Sequence, residues 1–192
     1  MEDTQWSEGE RLLGFSFLFV HRSILNSMTS DLLSSSAPDQ VGDLVIPVIP
    51  EDERLWVPQA ENVWFRPLMF NTVQGAWTNL LRVSRSGMLN RHRHPAPVYG
   101  YVLKGSWRYL EHDWVAHEGS FVYEPPGEVH TLVVDDDVEE MITLFQVQGA
   151  LIYMDENGNQ LGFDDVHSKI ALARNHFESC GLGSDYVNEF IR

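Results

Sequence analysis

The chain has 192 residues, 43% hydrophobic and 21% charged, with a formal net charge of −15 from 28 acidic against 13 basic residues. That length builds one domain with a sizeable core, and the hydrophobic share excludes a disordered chain. The acidic balance excludes duplex nucleic acid as a partner, because a basic face is needed to displace counterions from phosphates, and it disfavours an anionic membrane surface. A lone cysteine, Cys180, excludes an internal disulfide framework and a cysteine-cluster metal site, and fits a cytoplasmic setting.

Residues 1–40 read as a poorly ordered N-terminal extension. Within it, Leu12–Val20 (LLGFSFLFV) is apolar but too short to span a bilayer as a helix. Its upstream flank, MEDTQWSEGER, is acidic where a secretory signal needs a basic region. Serines 27, 30, 34, 35 and 36 follow, then Pro38. Met28 is an alternative biological start, which would set residues 1–27 outside the biological protein.

Residues 41–192 read as a single domain. From Asp43 onward, short apolar stretches alternate with turn residues. Strands are predicted at Val63–Phe70, Val73–Val83, Val98–Leu103, Trp107–Leu110, Ser120–Tyr123, Thr131–Val134 and Met141–Val147. Asn157-Gly158 predicts a type I′ hairpin between Leu151–Met154 and Gln160–Phe163. Many short strands at regular spacing suggest a sandwich or barrel. The period then changes: Val166, Ile170, Ala173 and Phe177 lie on one helix face, predicting a helix over about 164–180. Asp164 or Asp165 is its expected N-cap, and Gly181 or Gly183 its stop. A short final helix over Asp185–Arg192 is compatible with the sequence. The acidic run Asp135–Glu140 reads as a solvated turn, since it lacks the spacing of a calcium loop.

Two segments carry chemistry. The first is Gly87-Met-Leu-Asn-Arg-His92-Arg-His94, followed by Gly105; the second runs from Gly119 through Glu124-Pro125-Pro126-Gly127 to His130. Residues i and i+2 of a strand share a face, so His92 and His94 can offer imidazole nitrogens to one cation. The Pro-x-Gly turn places His130 at the start of a returning strand, 36 positions after His94. Three neutral imidazoles suit iron, zinc, copper or nickel, and they leave open the coordination positions that metal catalysis needs. His21, His112, His117, His167 and His176 read as surface or packing histidines.

These segments resemble the two cupin motifs. Gly119-x5-Pro125-x-Gly127-x2-His130 matches the second motif up to its histidine, but Val134 stands where an asparagine is usual. The first matches at His92, His94 and Gly105, with Gly87 one residue closer than usual. Val98 and Tyr99 occupy the positions expected for the motif glutamate, so that ligand is missing. Arg91–Asp135 resembles the 2,4′-dihydroxyacetophenone dioxygenase group of cupins, is similar to acetylacetone-cleaving cupins, and is also similar to the cupin domain of zinc-binding anti-sigma factors (ChrR-like). The resemblance implies an all-β fold: a small double-stranded β-helix, or jelly-roll, barrel with a C-terminal helix. It also implies homo-oligomers through edge strands.

Two carboxylates can replace the missing glutamate. Glu124 lies six residues before His130 and can serve as a distant ligand or orient a ligand imidazole; Glu111, after the Gly105 turn, is the second. Tyr99 or Tyr101 is expected to face inward and shape an aromatic pocket.

The function implied is a mononuclear non-haem Fe(II) dioxygenase. It would cleave a carbon–carbon bond next to a carbonyl in a small, aromatic, α-hydroxyketone-like substrate, with O₂ as co-substrate. Fe(II) is the favoured metal, with Zn, Ni, Mn and Cu as alternatives. The rival is a zinc-binding regulatory or sensor cupin without turnover.

Overall fold

Where apolar and polar residues alternate between turn residues, a strand can bury one face and solvate the other. The computed structural model describes residues 41–192, of which Leu44–Arg192 forms one unit. The readings made for residues 1–40, including Leu12–Val20, His21 and Met28, lie outside the described residues.

In chain order the strands are β1 (Val57–Ala60), β2 (Val63–Asn71), β3 (Ala76–Ser84), β4 (Met88–Arg93), β5 (Val98–Lys104) and β6 (Ser106–Tyr109). They continue with β7 (Ala116–His117), β8 (Phe121–Glu124), β9 (Val129–Val133), β10 (Glu140–Gln148), β11 (Ala150–Met154) and β12 (Gln160–Asp165). Helix α1 (Val166–Ser179) and a 3-10 segment (Ser184–Phe190) follow. The strands form two six-stranded sheets, ordered β1-β2-β3-β10-β5-β8 and β12-β11-β4-β9-β6-β7, with every ladder antiparallel. This is the expected all-β jelly roll with a C-terminal helix.

The main core lies between the sheets, where Trp77, Leu81 and Phe145 of the first meet Trp107, Leu132 and Leu151 of the second. A smaller cluster of Trp56, Leu68, Leu80 and Ile142 covers the other face of the first sheet. That double burial explains why β2, β3 and β10 read as nearly continuous apolar runs.

Four local expectations are refined. The strand predicted from Val73 begins at Ala76, because Gln74 N–H bonds Asn71 Oδ1 at 2.9 Å and Gly75 takes φ +63°, closing a turn first. Strands β1 and β7 went unpredicted; β1 carries Pro58 and β7 has two residues, so neither shows alternation. The 155–158 hairpin exists, but only Gly158 has positive φ (+82°), so its turn is not type I′. The Asp155 carboxylate instead accepts the N–H groups of Asn157 and Asn159. Asp165 is the helix cap, in a capping box with Ser168, and Gly181 follows the helix at φ +81°.

Candidate metal centre

Cross-strand register brings the histidines together. His92 on β4 stands directly opposite His130 on β9. A bulge between Leu89 and His92 resets the alternation, so that His92 points inward. His94 lies one residue past β4 and is also buried. Its carbonyl accepts the Gly127 N–H at 2.7 Å, which ties the first motif to the Pro-Pro-Gly turn of the second. Gly127 has φ +92°, a conformation that a side chain disfavours.

Donor atoms of His92, His94 and His130 lie within 4.8 Å of one another, and all three residues are buried. Glu124 reaches them from the other sheet. It ends β8, where Val122 and Glu124 turn inward while Phe121 and Tyr123 turn out. Its Oε2 is 3.2 Å from His94 Nε2 and 3.6 Å from His130 Nε2. Its Oε1 accepts the Tyr109 hydroxyl at 2.6 Å. The Tyr109 ring stacks on His130, with centroids 3.9 Å apart and planes 3° from parallel.

Among the described residues, His94 Nδ1, both ring nitrogens of His130 and Glu124 Oε2 are buried without a hydrogen-bond partner. Each such group costs about 1–3 kcal/mol. A cation there would take one lone-pair nitrogen from each ring, with Glu124 Oε2 beside it, so the residues fit a metal ion. The three-histidine site is therefore compatible with metal binding.

A family model described as the ChrR Cupin-like domain matches residues 47–152. The chain belongs to this cupin family. Among solved structures, the cupin is similar to an RmlC-like cupin protein from Ralstonia eutropha JMP134, at 30% identity over 71% of this chain and 90% of that one, with a TM-score of 0.63. It is also similar in fold to an acetylacetone dioxygenase from Acinetobacter johnsonii, at 15% identity over 73% of this chain and 99% of that one, with a TM-score of 0.61. Comparison with curated proteins gives no match.

The electrostatics of the cupin site favour neutral His92 and His130. Burial, with the neighbouring His94 and His130, holds His92 well below the usual histidine range. Burial also lowers His130 to about 4, although Glu124 pulls the other way. His92 Nδ1 lies 2.6 Å from the Asn90 carbonyl. A carbonyl only accepts, so Nδ1 carries the proton and Nε2 keeps the lone pair. Burial and the adjacent Glu124 raise Tyr109, which stays a donor.

Two sequence expectations are corrected. Tyr99 does not shape the cavity; it and Tyr101 are both exposed, packed outside β5 near Phe121 and Tyr123. Val98, Gly100 and Val102 take the inward positions, and two residues separated by one must share a face. Glu111 is not aimed at the histidines. Its carboxylate accepts Thr131 N–H (2.8 Å) and Thr131 Oγ1 (3.0 Å) and pairs with Arg91 at 3.1 Å. His112 pairs with Glu128 at 2.8 Å, and His176 Nε2 lies 2.9 Å from the Arg54 carbonyl.

The site opens on a cavity of about 40 Å³, walled largely by apolar side chains such as Leu81, Phe145 and Leu151. Sequence reasoning missed three of its polar neighbours. Tyr109 was visible as the i+2 partner of Trp107, inward on β6. Lys169 was visible as a lysine three residues after Val166, within the apolar row of the helix. Gln59, on unpredicted β1, carried no signal.

Proposed function

We propose that this cupin is a mononuclear non-haem Fe(II) dioxygenase cleaving a carbon–carbon bond next to a carbonyl in a small α-hydroxyketone-like substrate. The carrying observation is the buried set of three histidines, with ligand atoms within 4.8 Å of one another, beside the Glu124 carboxylate. His92, His94 and His130 would hold the ion. When bound, ferrous iron would supply Lewis acidity toward carbonyl oxygens and one-electron reactivity toward O₂.

The remaining work falls to the chain. Burial keeps His92 and His130 unprotonated at neutral pH, and Asn90 fixes the His92 tautomer. Tyr109 anchors one oxygen of Glu124 and leaves Oε2 as the proton acceptor. The substrate's proton moves to that oxygen as the enolate forms. The apolar walls exclude bulk water. A cavity of about 40 Å³ has room for about two or three waters, which favours a short carbonyl compound over the aromatic one implied by the sequence resemblance. The similar fold named an acetylacetone dioxygenase supports oxygen chemistry on a small carbonyl compound.

A second reading rests on Glu124. As a fourth donor it would close a four-ligand set of the kind that holds structural zinc, which suits a regulatory cupin without turnover. Oxygen uptake separates the two. The protein is loaded with Fe(II) without air, then given 3-hydroxy-2-butanone and O₂. The dioxygenase reading expects one O₂ consumed for two acetic acids formed, and none in His92→Ala. No uptake at full iron occupancy would overturn it and favour the zinc reading.

A further inference from the structure

Lys169 sits on α1 in one row with Val166, Ile170, Ala173 and Phe177, and is 3% exposed. Its ammonium donates to Gln59 Oε1 at 2.6 Å. It also lies 3.2 Å from Asp164 Oδ2 and 4.7 Å from the centre of the Phe65 ring. Asp164 is a shared acceptor: it takes the Tyr153 hydroxyl at 2.8 Å and the Ser168 hydroxyl at 3.1 Å, so the lysine holds the longest of three contacts. The two charges also face different spaces. Asp164 and Tyr153 line an outer cleft, whereas Lys169 lines the cavity containing His92, His94 and Glu124.

Burying an ammonium strips its hydration, and a packed apolar residue would hold the helix to the sheet without that cost. An ammonium has three N–H groups, and the two polar acceptors here account for two. We propose that Lys169 is a substrate-binding residue that selects a carboxylate, so that the cavity takes a short oxo or hydroxy acid with its carboxylate on the ammonium and its carbonyl toward the histidines. This rests on the reading of those histidines as a metal site. The small cavity sets the chain length, and the ammonium sets the charge. A neutral molecule of the same shape would lack the ion pair.

The test uses the full chain loaded with Zn(II), which is redox-silent. Pyruvate and its neutral isostere pyruvamide are titrated by calorimetry, and by intrinsic tryptophan fluorescence, to which Trp77 in the cavity wall contributes. The wild type is expected to bind pyruvate at least about tenfold more tightly than pyruvamide. Lys169→Met combined with Asp164→Asn removes both charges and orphans neither. It is expected to weaken pyruvate at least about tenfold, to leave pyruvamide within about threefold, and to retain its zinc. If that variant does not fold, Asp164→Asn alone frees the ammonium and is expected to tighten pyruvate. Zinc-loaded protein that does not bind pyruvate, does not distinguish the two probes, or binds pyruvate equally with and without Lys169 overturns this inference alone. Wild-type protein that takes up no zinc overturns the metal reading and this inference with it.

Discussion

The histidine site and Lys169 meet at one cavity, yet the buried polar atoms around them are partnered differently. Around His94, His130 and Glu124, four buried nitrogen or oxygen atoms have no hydrogen-bond partner. Around Lys169, a closed chain runs from the ammonium to Gln59, from Gln59 to Tyr153, from Tyr153 to Asp164 and back to the ammonium. Burial acts on both clusters but with different results. It keeps His92 and His130 neutral, and it lowers Lys169 while Asp164 offsets part of that effect. The difference separates two uses of a buried polar group. The open atoms beside the histidines mark where a cation belongs, whereas the Lys169 network holds the ammonium on two of its N–H groups and leaves the third for a ligand.

The comparison can be broken most directly at the histidines. Losing an outer partner of a metal ligand commonly costs 10- to 100-fold in affinity, so His130→Ala should weaken metal binding by more than about 100-fold, measured by competition with a chelating dye. Next comes pH, for the metal-free protein. Burial lowers His130 in the fold to about 4 from the ordinary histidine value of 6.5. Between those values the unfolded chain binds a proton that the native state does not. Stability is therefore full above about pH 6.5 and lost as pH falls toward 4, by up to about 3 kcal/mol. Urea denaturation midpoints across that range read it, and a midpoint that rises on acidification would contradict the assignment.

Tyr109→Phe sharpens the contrast by making Glu124 Oε1 an orphan as well. It is expected to weaken metal binding about 10- to 100-fold while the far-ultraviolet circular dichroism stays unchanged. The smallest effect lies outside both clusters. Asp165→Ala removes the cap of α1, the helix that carries Lys169, and should lower stability by about 1 kcal/mol with metal affinity intact. Comparable losses of metal affinity in Asp165→Ala and Tyr109→Phe would mean that both act through global destabilisation.

The sequence made the fold legible wherever one mechanism decided the local structure. Alternation with turn residues placed the long central strands, and the change of period placed α1. The cap was readable as Asp164 or Asp165, because a carboxylate there meets free N–H groups, and the structure settles it as Asp165. The three histidines were readable for the same kind of reason: spacing of two puts His92 and His94 on one face, and the Pro-Pro-Gly turn returns His130 beside them. What escaped depends on tertiary context. Tyr99 carries an aromatic ring that suits either face, and only the register of β5 against β8 and β10 sends it outside. Glu111 could be near the site in sequence terms, but Thr131 and Arg91 capture it. Lys169 lies 39 positions beyond His130, and only the packing of α1 brings it to the cavity.

One measurement bears most directly on the centre of this account. Purified protein, stripped of metal, is dialysed to equilibrium against Fe(II) without air, and against Zn(II), alongside His92→Ala, His94→Ala and His130→Ala. The account predicts one ion per wild-type chain and less than about a tenth of that in each variant at the same free metal concentration. A wild type that binds no metal, or a correctly folded variant that retains a full ion, would contradict it.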